Sequence, residues 1–349
     1  MRAVMFDDFG ARPEVREVPE PVPPAGGAVI RVMSTGLCRS DWHGWKGHDP
    51  DVRPPHVPGH EFAGIVAAVG TQVTGWRAGD RVTAPFVCAC GRCAACLAGD
   101  QQVCERQTQP GFTHWGSFAE FVAVHNADVN LVGLPDGLSY DAAAALGCRF
   151  ATAFRAVIHQ GRLAAGEWVA VYGCGGVGLS AIMIAVACGG RVVAVDVAAP
   201  ALDLARRTGA EACLDASALG GPGEVAAAVR ETTGGGTHLS LDALGSPATC
   251  VASVESLRRR GRHIQVGLLP AAGGRPPLPM DRVIGYELEL RGSHGMPAHA
   301  YPGLLALVTR GVLRPDRLVT ETMSLADVPD ALVTMDQPSV GGIRLIRPA

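Results

Sequence analysis

The sequence contains no apolar run of the roughly 20 residues that a bilayer-spanning helix needs. Its longest, around positions 177–188, is shorter and reads as a buried helix. The segment from Met1 to Arg12 lacks the apolar core of a secretory signal, so cytoplasm is the expected address and no membrane partner is expected. Clustered charge is missing too. With 30 Lys and Arg against 33 Asp and Glu the formal net charge is −3, and the charges are scattered. Nucleic-acid surfaces draw their affinity from concentrated positive charge, so no nucleic-acid partner is expected. Internal repeats, low-complexity tracts, basic arms and acidic tails are all absent.

What remains is a chain of 349 residues, 48% hydrophobic and 18% charged. Such a composition supports a packed globule, and the length exceeds what one hydrophobic core serves well, so two domains are expected. Up to about Cys148 the chain is rich in glycine, proline and short β-branched runs. Ala28–Met33, Glu61–Val69 and Arg81–Thr83 read as short strands between turn signals, giving an irregular, barrel-like β domain over 1–150.

From about Ala151 strands alternate with helices. Trp168–Tyr172 and Arg191–Val195 are apolar strand candidates, and a helical stretch runs between them to Cys188. A helix over Pro200–Thr208 is stopped by Gly209, and strands at Leu239–Leu241 and His263–Val266 flank a helix over Ala248–Arg259. This alternation predicts an α/β domain, a doubly wound parallel sheet over 151–291. Beyond about Gly292 the glycine and proline punctuation returns, and the segment 292–349 is expected to complete the first domain.

Eleven cysteines are many for a reducing compartment, and their odd number excludes complete internal pairing. Cys90, Cys93, Cys96 and Cys104 crowd into one short lobe, about 88–105. Four thiolates at that spacing suit the tetrahedron of a closed structural zinc site, with Gly91 and Gly99 easing the turns. Cys88 reads as a spectator.

A second motif is a glycine turn. Gly173, Gly175 and Gly178, with Gly176 and Val177 between the last two, form G-x-G-x-x-G directly after the strand Trp168–Tyr172 and at the start of a helix. The first glycine allows the tight turn, the second lets backbone N–H groups approach a pyrophosphate, and the third lets helix meet sheet. The helix N-terminus adds partial positive charge. Asp196, at the end of the next strand, suits the ribose hydroxyls and would repel a 2′-phosphate. With no Arg or Lys before Arg206, NAD is expected over NADP.

The third constellation is dispersed: Cys38 in Gly36-Leu37-Cys38-Arg39-Ser40-Asp41-Trp42-His43, His60 in Gly59-His60-Glu61, and Cys148 in Gly147-Cys148-Arg149. Spacing alone does not bring these together. Taken with the cysteine lobe and the glycine turn, in this order and over essentially the whole chain, they resemble the zinc-dependent alcohol dehydrogenases of the medium-chain dehydrogenase/reductase superfamily.

The resemblance implies a GroES-like β-barrel catalytic domain beside a Rossmann domain, with two zinc ions per chain and NAD as cofactors. It implies that Cys38, His60 and Cys148 bind a catalytic zinc with a fourth position open to water or substrate. It makes Glu61 the acid that coordinates transiently during ligand exchange, and Asp41 the carboxylate that orients His60. Zinc would act as a Lewis acid that favours the alkoxide of an alcohol, which then gives hydride to nicotinamide. Ser40 would take the alcohol proton and pass it through the nicotinamide ribose towards His43.

By the same resemblance Arg39 and Arg344 meet the pyrophosphate, while Thr152, Val266, Gly267 and Leu268 neighbour the nicotinamide. Phe86 and Trp115 are candidates for the substrate-pocket wall. One departure from the family pattern is the absence of a Lys shortly after Asp196. The expected partner is a small alcohol, aldehyde or ketone, and the expected assembly a homo-oligomer, with a tetramer favoured. Two rival readings are a zinc-free quinone or enoyl reductase on the same scaffold and a non-catalytic, zinc-stapled dinucleotide-binding protein. The complete ligand set speaks against the first, and Ser40 and His43 against the second. The pocket is built from scattered residues, so the sequence does not name the alcohol.

Overall fold

The computed structural model describes residues 1–269, 273–337 and 341–348, so parts of the expected return segment 292–349 lie outside the described residues. The chain divides into two compact units. One comprises Met1–Ala151, Gly295–Ser339 and Ile343–Ala349; the other comprises Thr152–His294 and Val340–Gly342.

The first unit is organised around one long strand, Ala28–Leu37. Along one edge it pairs antiparallel with Phe62–Val69. Its other edge is shared: Ala28–Arg31 pairs with Phe121–Val124, and Thr35–Leu37 pairs with the C-terminal strand Ile343–Arg347. Val319–Ser324 continues the sheet parallel to that last strand, so the chain end returns to the sheet it began. Ile30, Val32, Phe62, Val66 and Val82 fill one core cluster; Phe6, Leu37, Trp45, Phe118 and Ile346 belong to another.

Two strand limits differ from the sequence reading. The long strand runs past Met33 because Ser34 and Thr35 are buried despite their polarity, and the Thr35 hydroxyl is bonded to that of Ser117 at 2.7 Å. The next strand begins at Phe62 rather than Glu61, whose side chain bonds to Arg149.

In the second unit six strands are numbered here in chain order: β1 Trp168–Tyr172, β2 Arg191–Asp196, β3 Ala212–Asp215, β4 Thr237–Asp242, β5 Leu257–Gln265 and β6 Glu289–Gly292. All pairings are parallel, in the order β3-β2-β1-β4-β5-β6. Every residue of β1 is buried, as a strand covered on both faces requires. The helices Gly176–Ala187, Ala199–Thr208, Pro222–Thr232, Pro247–Glu255 and Met280–Tyr286 make the crossovers. Strand order reverses beside β1, the switch point where ligands bind in open α/β sheets.

The helix expected over Ala248–Arg259 stops at Glu255. Leu257 instead pairs with Thr237 and opens β5, a long-range contact that outweighs the helix propensity of the Leu-Arg-Arg run. No helix among the described residues is long and apolar enough to cross a membrane.

Candidate functional site

In the first unit the ligand atoms of Cys38, His60, Glu61 and Cys148 all lie within 4.8 Å of one another. Local structure explains each placement. Cys38 closes the central strand and caps the helix Arg39–Trp45, and its N–H donates to Asp41 Oδ2 at 2.9 Å. His60 and Glu61 stand just before the strand Phe62–Val69. Cys148 lies in a widened helical turn, Leu146–Phe150, of the kind that often marks a site.

Asp41 is 1% exposed and its other oxygen, Oδ1, accepts from His60 Nδ1 at 2.8 Å and from the Gly59 amide at 3.0 Å. That contact puts the imidazole proton on Nδ1 and leaves the lone pair on Nε2. Nε2 is buried and has no hydrogen-bond partner. A buried imidazole nitrogen without a partner is costly, and beside two sulfurs it fits a divalent soft-to-borderline cation such as zinc.

The two thiols are driven apart. Its hydrogen bond with Cys148, helped by His60 and the Arg149 charge, holds Cys38 well below the ordinary thiol range. The same contact, with burial, raises Cys148.

Glu61 is fully occupied by a residue that the sequence reading did not single out. Oε1 accepts from the Arg149 amide at 2.8 Å and from its Nε at 3.1 Å, Oε2 accepts from Nη2, and Nη1 donates to the Leu37 carbonyl at 3.0 Å. The available signal was the arginine directly after Cys148, one of the expected ligands. A second omission is Phe112, whose ring lies 5.0 Å from that of His60, closer than Phe86 at 6.1 Å. Trp115 donates to the Pro55 carbonyl at 3.2 Å and lines a cavity of about 470 Å³ with Phe112, His56, His114 and His125.

Ser40 Oγ stands 3.8 Å from Cys38 Sγ, and His43 Nδ1 lies 2.9 Å from His48 Nδ1. His48 is the third omission. Arg39 is exposed and donates to the Met335 carbonyl at 2.6 Å, while the half-buried Arg344 reaches the Ala331 carbonyl at 3.5 Å.

The sulfurs of Cys90, Cys93, Cys96 and Cys104 form a second group within 4.8 Å. Cys93 Sγ is 3.4 Å from Cys96 Sγ and 3.7 Å from Cys104 Sγ. Backbone N–H groups of Cys90 and Arg106 donate to Cys104 Sγ, each at 3.3 Å. Backbone bonding, first from Arg92, lowers Cys90 to about 6. Cys88 stands apart, buried and bonded to the Pro85 carbonyl, and burial pushes it up to about 12.

In the second unit Gly173 turns the chain at φ +89°, and the helix of Gly176, Val177 and Gly178 starts behind Gly175. Asp196 ends β2 and braces that turn: Oδ2 accepts from the Cys174 amide at 2.6 Å, Oδ1 from those of Val197 and Ala198 at 2.8 and 2.9 Å. At the end of β4 the buried Asp242, also unforeseen, accepts from the amides of Leu244 and Gly245 and from Gln265. Val266 and Gly267 donate to its carbonyl, and Leu268 is exposed. Thr152 is buried, its hydroxyl without a partner.

Residues 24–136 match the alcohol dehydrogenase GroES-like domain, and residues 176–310 match the zinc-binding dehydrogenase domain. The solved alcohol dehydrogenase TADH from Thermus sp. ATN1 is 33% identical, with 99% of each chain covered and a TM-score of 0.89. The chain belongs to the zinc-dependent alcohol dehydrogenase family of the medium-chain dehydrogenases/reductases.

A solved NAD-dependent alcohol dehydrogenase of this family is 29% identical over the full length of both chains, with a TM-score of 0.88. A curated alcohol dehydrogenase from Geobacillus stearothermophilus is 39% identical over 214 residues, 60% of this chain. That alignment spans 62% of the relative's length. The GroES-like match of the family contains Cys38, His60, Glu61 and the whole cysteine lobe; Cys148 and Arg149 fall between the two matched segments.

Proposed function

We propose that the chain is a zinc-dependent oxidoreductase that transfers a hydride between a small alcohol, or the corresponding aldehyde or ketone, and NAD(H). One observation carries this reading: a buried His60 whose Nδ1 is tied to Asp41 and whose Nε2 is unpaired, set among Cys38 and Cys148. Cys38, His60 and Cys148 hold the catalytic zinc, and the four-cysteine lobe holds a structural one. When bound, the catalytic zinc supplies Lewis acidity towards the substrate oxygen.

The protein's own groups position and deprotonate. Asp41 fixes the ring of His60 and keeps its Nε2 basic. Ser40 is the first acceptor of the alcohol proton and His43 the next base along. Glu61, held by Arg149, is the acid that would reach the zinc transiently during ligand exchange. Phe86, Phe112 and Trp115 supply apolar wall.

The dinucleotide belongs to the second unit. Its pyrophosphate meets the glycine turn and the N-terminus of Gly176–Ala187, with Arg39 and Arg344 as further cations. Asp196 takes the ribose hydroxyls, which supports NAD over NADP. Thr152 and Val266–Leu268 neighbour the nicotinamide, with the unpaired Thr152 hydroxyl free to bond its amide. The division 1–150, 151–291 and 292–349 carries over as catalytic, dinucleotide-binding and returning segments. A cytoplasmic homotetramer is the assembly this scaffold suggests.

The test is a panel of alcohols with NAD or NADP, followed by NADH absorbance on zinc-loaded protein. Alcohol-dependent reduction, faster with NAD, is expected. A panel with no alcohol-dependent turnover with either cofactor sinks the reading.

A further inference from the structure

The helix Arg39–Trp45 ends in a way that pairs two histidines. Lys46 caps it, Gly47 follows at φ +76°, the Gly47 amide donates to the Gly44 carbonyl at 3.1 Å, and the His48 amide donates to the His43 carbonyl at 2.9 Å. These crossed bonds are a Schellman closure, which turns the residue after the glycine back over the helix's last turn. The side-chain contact that accompanies such a closure is usually apolar. Here it joins two imidazoles: His43 Nδ1 and His48 Nδ1 are 2.9 Å apart, with ring centroids at 5.2 Å.

The pair is held from several sides. Trp42 meets His43 edge-on at 5.1 Å and His48 at 5.8 Å, and Arg39 stacks over that indole at 4.6 Å. Gly47 is close to Phe9; a Cβ there would stand 3.0 Å from the ring, so the turn has little freedom to open. The two rings differ in exposure. His43 is half-buried and His48 is exposed.

We propose that His48 is the outer member of a two-histidine proton exit: the proton released when an alcohol is oxidised passes from His43 to His48 and from there to water. The inference rests on the functional reading above. Oxidation of an alcohol by NAD⁺ yields a carbonyl, NADH and one proton. His43 accepts that proton on Nε2 and releases the one on Nδ1 to the Nδ1 lone pair of His48. His48 in turn releases one from Nε2 to water, and each ring returns by tautomer exchange. In reduction the same pair runs inward.

Charge supports the direction. Burial lowers His43, and the nearby His48 and Arg39 lower it further, with Cys38 opposing. Lys46, 5.6 Å from the Trp42 ring, is the other cation on this turn. A neutral inner imidazole beside an exposed partner passes a proton outward rather than storing it.

The experiment is stopped-flow mixing of zinc-loaded protein with NAD⁺ and whichever of ethanol, 2-propanol, cyclohexanol or benzyl alcohol the wild type oxidises fastest. A pH indicator in dilute buffer reports proton release, and absorbance reports NADH. His48→Gln keeps a hydrogen-bonding neighbour for His43 but carries no proton; His48→Ala keeps neither. Both variants are expected to slow proton release about tenfold, less than the loss of a base at the reacting atom because water competes for the outer step. Added imidazole should restore the rate in both. In metal-free protein, ¹⁵N NMR should show a coupling between the two Nδ1 atoms.

Proton release by His48→Gln at the wild-type rate, or a loss that imidazole leaves untouched, overturns the exit while alcohol-dependent NADH formation keeps the enzyme reading intact. A wild type that forms no NADH overturns both.

Discussion

Arg149 and Glu61 form a buried ion pair in which both carboxylate oxygens and the arginine's own backbone amide take part, with side-chain exposures of 7% and 0%. The pair sits beside two cysteines and a histidine, so the guanidinium offsets negative charge where solvent does not reach. Breaking such a pair from one side is expensive because it strands the other charge. Arg149→Met is expected to cost about 3–5 kcal/mol of stability, and the double variant with Glu61→Gln to recover most of it. Urea denaturation of Arg149→Met, Glu61→Gln and the double variant checks this. A single variant as stable as wild type would contradict the pairing.

Asp41→Asn tests how the imidazole is aimed. The carboxylate accepts from Cys38, Gly59 and His60, and an amide in its place presents a donor to one of them. Zinc affinity at the catalytic group is expected to fall about 10- to 100-fold, as for other carboxylates behind a ligand histidine. Chelator competition measures it.

Two glycines of the dinucleotide turn should respond in opposite ways. A Cβ on Gly178 would lie 1.8 Å from the Gly173 carbonyl oxygen, whereas one on Gly175 meets no atom within 4 Å. Gly178→Ala is therefore expected to fold poorly, with a clearly lowered Tm. Gly175→Ala should melt like wild type yet bind NADH weakly, because the methyl would stand at the proposed pyrophosphate approach. Thermal melts and NADH fluorescence titration separate the cases.

Asp196→Ala removes both the proposed ribose acceptor and the brace on the amides of Cys174, Val197 and Ala198. KM for NAD is expected to rise and KM for NADP to fall relative to it. An unchanged ratio of the two kcat/KM values would remove Asp196 from cofactor choice.

Local motifs were legible in the sequence, and long-range ones were not. The cysteine lobe and the glycine turn are short segments whose geometry follows from spacing and glycine placement. Cys38, His60 and Cys148 come from separate elements, and only the family resemblance gathered them. Arg149 was passed over because a buried arginine is recognised by the carboxylate it meets, which is 88 residues away in sequence. His48 was missed for a different reason: its pairing with His43 is local, but the closure at Gly47 has to be read as a turn that brings two side chains together. The helix drawn through Arg259 failed where the parallel ladder to Thr237 took over.

Metal content of purified wild type and Cys38→Ser, measured by mass spectrometry with NADH binding as a check on the fold, bears most directly on the catalytic zinc. Two ligand groups lead us to expect two zinc ions per chain in wild type and one in the variant, with NADH binding kept and alcohol turnover lost. A variant that retains both ions, or a wild type that holds none at the Cys38 group, would contradict the assignment.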